Sequence, residues 1–106
     1  MNKDFCILIS DQAELDINLA LEYLLKVSDK ATSKKFLLEV KSVLEIISKN
    51  PNIGSSRFSY LISNKNIRHF IINNYKYFLF YNIEKNNIRI IRLLHTSRDI
   101  KSVLFI

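Results

Sequence analysis

The spacing of hydrophobic positions changes near Gly54, from a helical period before it to a strand period after it. Phe5-Cys6-Ile7-Leu8-Ile9 is a short run of strand formers and reads as a first strand buried on most sides. Its cysteine, set among apolar neighbours, reads as a buried structural thiol. Ser10 then offers a helix N-cap, with Asp11 and Glu14 in the first turn, where carboxylates complement the helix dipole. Ala13, Ile17, Ala20, Leu21 and Leu24 recur at helical spacing, while Asp16, Glu22 and Lys26 point elsewhere. Leu15, Leu19 and Tyr23 widen the stripe and predict packing against more than one neighbour. After a polar break at 27–30 with a second capping option, Leu37, Val40, Leu44 and Ile47 repeat the pattern until Pro51 ends it. Residues 11–49 therefore predict a helical hairpin, whose short connection forces its arms to lie antiparallel.

Beyond the Asn50–Gly54 loop, the segments Phe58–Ile62, Ile67–Ile72, Tyr75–Ile83 and Ile88–Leu94 read as strands. Ser63–Asn66, Asn73-Asn74 and Glu84–Asn87 read as the turns between them, and Asp99–Phe105 as one helical turn. The last two strands are apolar at nearly every position, as central strands are. The predicted fold is α+β and two-layered: an N-terminal strand and a helical hairpin packed on a mainly antiparallel sheet. Two helices cover one face of such a sheet, so the other face is expected to stay partly open and to project basic side chains.

Composition narrows the function. The 106 residues suit one domain over 1–106. One glycine excludes collagen and one cysteine a disulfide scaffold. No apolar run approaches the length of a membrane span, and Asp4 precedes a run too short for a secretory leader, so a cytoplasmic protein is expected. The net charge of +6 is unevenly placed. Residues 1–53 hold seven lysines and eight acids, whereas 54–106 hold four lysines, all five arginines, Glu84 and Asp99. A half with a net charge of +7 attracts polyanions or an acidic partner.

The chemistry-bearing residues are few. His69, His95 and Cys6 lack metal-ligand spacing, Gly54 alone makes no phosphate-cradling loop, and no cofactor is implied. Most of the seven Phe and five Tyr alternate with Ile and Leu and read as core, although Tyr75, Tyr77 and Tyr81 share a face and one phenol could reach solvent. What remains is His95-Thr96-Ser97-Arg98-Asp99 at the end of the last strand, with Arg57, Arg68 and Arg92 on or beside the sheet. A metal-free nuclease could be assembled from such groups, arginines holding the charge of a phosphorane. Equally, Asp99 could pair with Arg98, Arg92 or a backbone donor and simply fix the C-terminus.

The order of these pieces resembles the RelE/ParE superfamily of toxins from bacterial type II toxin–antitoxin systems. The resemblance spans roughly residues 5–105. It is carried by Ile9–Asp16, Tyr23-Leu24, Phe36-Leu37, Pro51–Gly54, Ile67–Phe70, Tyr77–Tyr81 and Arg92–Asp99. It implies a cognate antitoxin as partner, and leaves open assembly as a homodimer or as a hetero-oligomer with that antitoxin. In the members that cleave mRNA on the ribosome, the resemblance places a middle-strand arginine at Phe78, a late arginine at Arg98 and a terminal tyrosine at Leu104 or Phe105. Phe78 supplies no cation, and neither Leu104 nor Phe105 can move a proton. The pattern Arg68-x-Phe70, Phe80-Tyr81 and Arg92…His95-x-x-Arg98-Asp99 looks more like the ParE branch, which is associated with DNA gyrase inhibition and with no catalysis by the toxin. The resemblance thus implies a ParE-like inhibitor with no catalytic residues and a functional surface of Arg57, Arg68, Arg92, His95, Arg98 and Asp99. The alternatives are a RelE-like endoribonuclease acting on ribosome and mRNA, and an inactive member serving as a binding module.

Overall fold

The computed structural model describes residues 4–59, 66–74 and 76–104. Both long helices begin where local chemistry places them. Ser10 Oγ accepts the Ala13 N–H at 3.1 Å and opens α1 (Asp11–Val27). Asp29 Oδ1 accepts the Thr32 N–H at 2.7 Å and opens α2 (Lys30–Lys49). That N–H, then the Thr32 hydroxyl, hold the Asp29 carboxyl below the usual carboxylate range. Across the hairpin Ser33 Oγ donates to the Leu21 carbonyl at 3.0 Å. Pro51 starts a 3-10 turn, Pro51–Ile53, in place of further helix.

Among the described residues, four strands follow the predicted periods closely: β1 (Cys6–Ile9), β2 (Ile67–Ile72), β3 (Tyr77–Glu84) and β4 (Asn87–His95), with a short α3 (Ile100–Leu104). Their order in the sheet is β1-β4-β3-β2. β1 pairs parallel with β4, and the other pairings are antiparallel. Asn73 and Asn74 both take positive φ, 57° and 54°, in the turn between β2 and β3, a conformation asparagine tolerates well. Phe58 and Ser59 lie in a turn, not the expected strand. The remainder of that strand (60–62), most of the turn after it (63–65), Tyr75 and Phe105 lie outside the described residues.

The sheet carries a core on each face. Toward the helices, Ala13, Ile17 and Ala20 of α1 and Phe36, Val40, Val43 and Ile47 of α2 pack on Leu79, Tyr81, Ile88, Ile90 and Leu93. A bulge between Phe80 and Tyr81 of β3 skips Ile91 in the pairing with β4. The extra residue shifts the alternation, which lets Ile90 and then Leu93 face the helices.

Four expectations are corrected here. The far face is not left open: Ile67, Phe78, Phe80, Leu94 and Ile100 form a second core, joined by Phe58, Ile91, Val103 and Leu104. The C-terminal helical turn and the 55–59 segment provide that cover, and both act through contacts distant in sequence. β1 is an edge strand, so its residues are exposed or half-buried, and Cys6 is an exposed thiol rather than a buried one. Leu15, Leu19 and Tyr23 do not find a second neighbour and stand 50–57% exposed. Asp16, expected to point away from the packing stripe of its helix, is engaged with β4, as described below.

His69 belongs to the far-face core. It is 4% exposed, and its ring lies 4.9 Å from those of Phe58 and Phe78. Burial, reinforced by the nearby Arg57 charge, lowers its pKa to about 4. The unfolded chain, with an ordinary histidine near 6.5, therefore binds the proton first as pH falls. Stability is expected to be unaffected by His69 above pH 6.5, to decline between 6.5 and about 4 by up to about 3 kcal/mol, and then to level off. Urea denaturation at several pH values, compared with His69→Phe, measures this; the variant should show the shallower dependence across that window.

Candidate functional site

The basic residues expected on one surface are distributed among four different places. Arg68, on β2, donates through Nη1 to the carbonyls of Gly54 at 2.7 Å and Asn52 at 3.2 Å. The same loop is held from beneath by Tyr81, whose hydroxyl donates to the Pro51 carbonyl at 2.6 Å and accepts the Gly54 N–H at 2.9 Å. Burial raises the Tyr81 hydroxyl above the ordinary phenol range, against the smaller opposing effects of the Gly54 N–H and Arg68. Arg68 and Tyr81 together fix residues 51–54 against the sheet.

Arg92 is committed to the first helix. Its Nε and Nη2 reach the two carboxylate oxygens of Asp16 at 2.8 and 3.1 Å. Asp16 also accepts the Leu93 N–H at 3.0 Å. β1 ends at Ile9, opposite Ile90, so the edge of β4 beyond that point has no strand to pair with. Ser10 and Asp16 serve that edge instead: Ser10 N–H donates to the Ile90 carbonyl at 3.0 Å and Ser10 Oγ to the Ile91 carbonyl at 3.2 Å. The pair is a docking contact for α1.

Among the described residues Asp99 forms no ion pair with Arg92 or Arg98. It accepts from the Ser102 hydroxyl at 2.7 Å and, more weakly, from its N–H at 3.4 Å, at the start of α3. The Ser102 hydroxyl first, then its N–H, hold this carboxyl below the usual range. Arg57 is exposed on the 55–59 turn, its guanidinium 4.9 Å from the centroid of the Phe58 ring.

His95 and Arg98 are the two predicted site residues that the structure brings together. They line a cleft of about 510 Å³ with Tyr23, Tyr77 and Ser97, between the C-terminal part of α1 and the turn after β4. Register explains the meeting, because Tyr77 at the start of β3 pairs with His95 at the end of β4. Their rings meet edge-on at 5.2 Å, and Phe36 backs Tyr77 at 4.9 Å. The Ser97 N–H donates to His95 Nδ1 at 3.1 Å, and Ser97 Oγ lies 2.8 Å from the same nitrogen. Nδ1 is therefore an acceptor, and a neutral ring carries its proton on Nε2. Burial, then the neighbouring Tyr23 phenol, raise the Tyr77 hydroxyl above the ordinary phenol range and keep it a neutral donor. Arg98 is exposed, and among the described residues nothing hydrogen-bonds to its guanidinium. Sequence reading missed Tyr23, taken as helix packing, and Asp16; it placed Tyr77 among aromatics that were mostly core.

Among the described residues, no cluster of His, Cys, Asp and Glu could hold a metal ion, and no helix is long and apolar enough to cross a membrane. No curated protein matches the sequence significantly. Ten solved chains match, among them one from the chromosomal ParDE toxin–antitoxin system of P. aeruginosa. That chain is 12% identical, with a TM-score of 0.72 over 88% of this chain and 97% of its own. At that identity it shows a shared fold. The sequence profile of the ParE toxin of the type II toxin–antitoxin system parDE matches residues 7–100, from β1 to the start of α3. On that match the chain belongs to the ParE toxin family and is the toxin component of a type II toxin–antitoxin system.

Proposed function

We propose that this toxin acts in the cytoplasm by binding DNA gyrase through protein contact, without cutting RNA, and that a cognate antitoxin masks it. The observation that supports a contact mechanism most is the engagement of the sheet cations. Metal-free RNA cleavage needs cations converging on a phosphorane and groups that move protons beside them. Arg68 holds the 51–54 loop, Arg92 holds Asp16, and Phe78 sits 9% exposed in the far-face aromatic cluster. Leu104 packs against that same cluster. Arg98 remains available beside His95, which suits a recognition surface better than a phosphorane clamp. Gyrase as the target is supported by membership of the ParE family and by the association of that branch with gyrase.

The test is induction of the toxin without its antitoxin, followed by primer extension on cellular mRNA. Intact messages with accumulated gyrase–DNA cleavage complexes are expected. Codon-positioned cuts without such complexes would establish the endoribonuclease alternative, and normal growth would establish a binding module. Arg98→Ala is expected to relieve growth arrest while leaving stability within about 0.5 kcal/mol of the parent, as exposed substitutions do. A large fall in thermal stability would instead assign Arg98 a structural role.

A further inference from the structure

We infer that the cleft formed by Tyr23, Tyr77, His95, Ser97 and Arg98 binds the phosphate of a nucleotide, with the exposed Tyr23 ring as a platform for its base. The inference goes beyond the gyrase reading and does not rest on it. Its basis is the one-sided chemistry of the lining. Tyr23 and Tyr77 offer hydroxyls with no hydrogen-bond partner among the described residues, His95 offers Nε2–H, and Arg98 offers a guanidinium unengaged among the described residues. Among the described residues no carboxylate lines the cleft; of the two acids next to it in sequence, Asp99 is bound to Ser102 and Glu22 is exposed on α1. Donors lining one cleft with a cation and no acid select an oxyanion, and guanidinium suits phosphate oxygens in particular.

Two features favour a nucleotide over bare phosphate. The cleft, at about 510 Å³, lies within the usual range for small-molecule sites and exceeds what phosphate fills. Tyr23 is 57% exposed, and an uncovered aromatic ring beside a cation is a stacking surface for a base. Positioning is built in: Phe36 and His95 hold the Tyr77 ring, and Ser97 fixes the orientation of His95. The phosphate can belong to a free nucleotide or to a single strand, since both present the same group.

Titration of the isotope-labelled toxin, followed by NMR, tests the site with five probes: a 5′-mononucleotide, its unphosphorylated nucleoside, inorganic phosphate, short single-stranded oligonucleotides and a poly-glutamate peptide. Saturable shifts at Tyr77, His95, Ser97 and Arg98 are expected with the mononucleotide, and binding about tenfold weaker or worse with the nucleoside. Affinity that rises with strand length would identify a strand as the natural source, and equal affinity a free nucleotide. Arg98→Ala should weaken mononucleotide binding by about tenfold or more. Tyr23→Ala, at an exposed position, should weaken mononucleotide binding and leave inorganic phosphate binding unchanged. The inference is overturned if no saturable shifts appear at these residues, if both variants bind like the parent, or if the acidic peptide binds the cleft more tightly than the nucleotide.

Discussion

Replacing Asp16 with alanine is expected to lower the unfolding free energy by about 2–4 kcal/mol, one of the two largest effects foreseen for a single substitution. The carboxylate is 9% exposed and receives four hydrogen bonds: two from Arg92, one from the Leu93 N–H and a longer one, 3.3 Å, from Gln12 Nε2. Its removal leaves a half-buried guanidinium without a counter-charge and a strand-edge N–H without an acceptor. Because Arg92 is 21% exposed, water can recover part of the loss, which places the figure below that for a fully buried pair. Asp16→Asn keeps an acceptor for Leu93 and should lose distinctly less. Urea denaturation of the two variants separates the charge from the acceptor. If Asp16→Ala changed stability by less than about 0.5 kcal/mol, the pair would be no more than a screened surface contact.

Gly54→Ala should destabilise by a similar amount, about 2–4 kcal/mol, for a different reason. Gly54 has φ −72° and ψ 162°, an extended backbone open to any residue, so conformational freedom is not what the position requires. Space is what it requires. A Cβ there would lie 2.5 Å from the Tyr81 hydroxyl, 2.8 Å from the His69 carbonyl oxygen and 2.9 Å from a Tyr81 ring carbon. Relief demands movement of the loop or of a fully buried tyrosine, either of which breaks the hydrogen bonds to Pro51 and Gly54. Tyr81→Phe removes the nearest obstructing atom, so the double variant should lose less than the sum of the singles. Strict additivity, read from thermal melts of all three, would contradict the assigned contact.

These two positions also mark where sequence reading stops. The helix starts at Ser10 and Asp29, and strands β2 to β4, depend on neighbours within a few residues and were legible from spacing alone. The Asp16–Arg92 pair joins residues 76 positions apart, and Asp16 sits among the polar positions of an amphipathic helix, so nothing local marks it. The exposure of Cys6 follows from the parallel pairing of β1 at the sheet edge, a tertiary fact that an apolar run does not encode. The far-face core is not encoded locally for the same reason, since α3 and Phe58 acquire their role only by folding back onto the sheet. Within the candidate site, His95 and Arg98 were legible as a polar cluster closing an apolar strand. Tyr23 was hidden because a tyrosine at helical spacing looks like packing until the helix is seen to leave it exposed.

The measurement that bears most directly on the proposed mechanism is the supercoiling activity of purified DNA gyrase with increasing purified toxin, run in parallel with Arg98→Ala. Inhibition by the parent toxin, lost in a variant that remains folded, is the predicted result. Undiminished supercoiling at saturating toxin would contradict it.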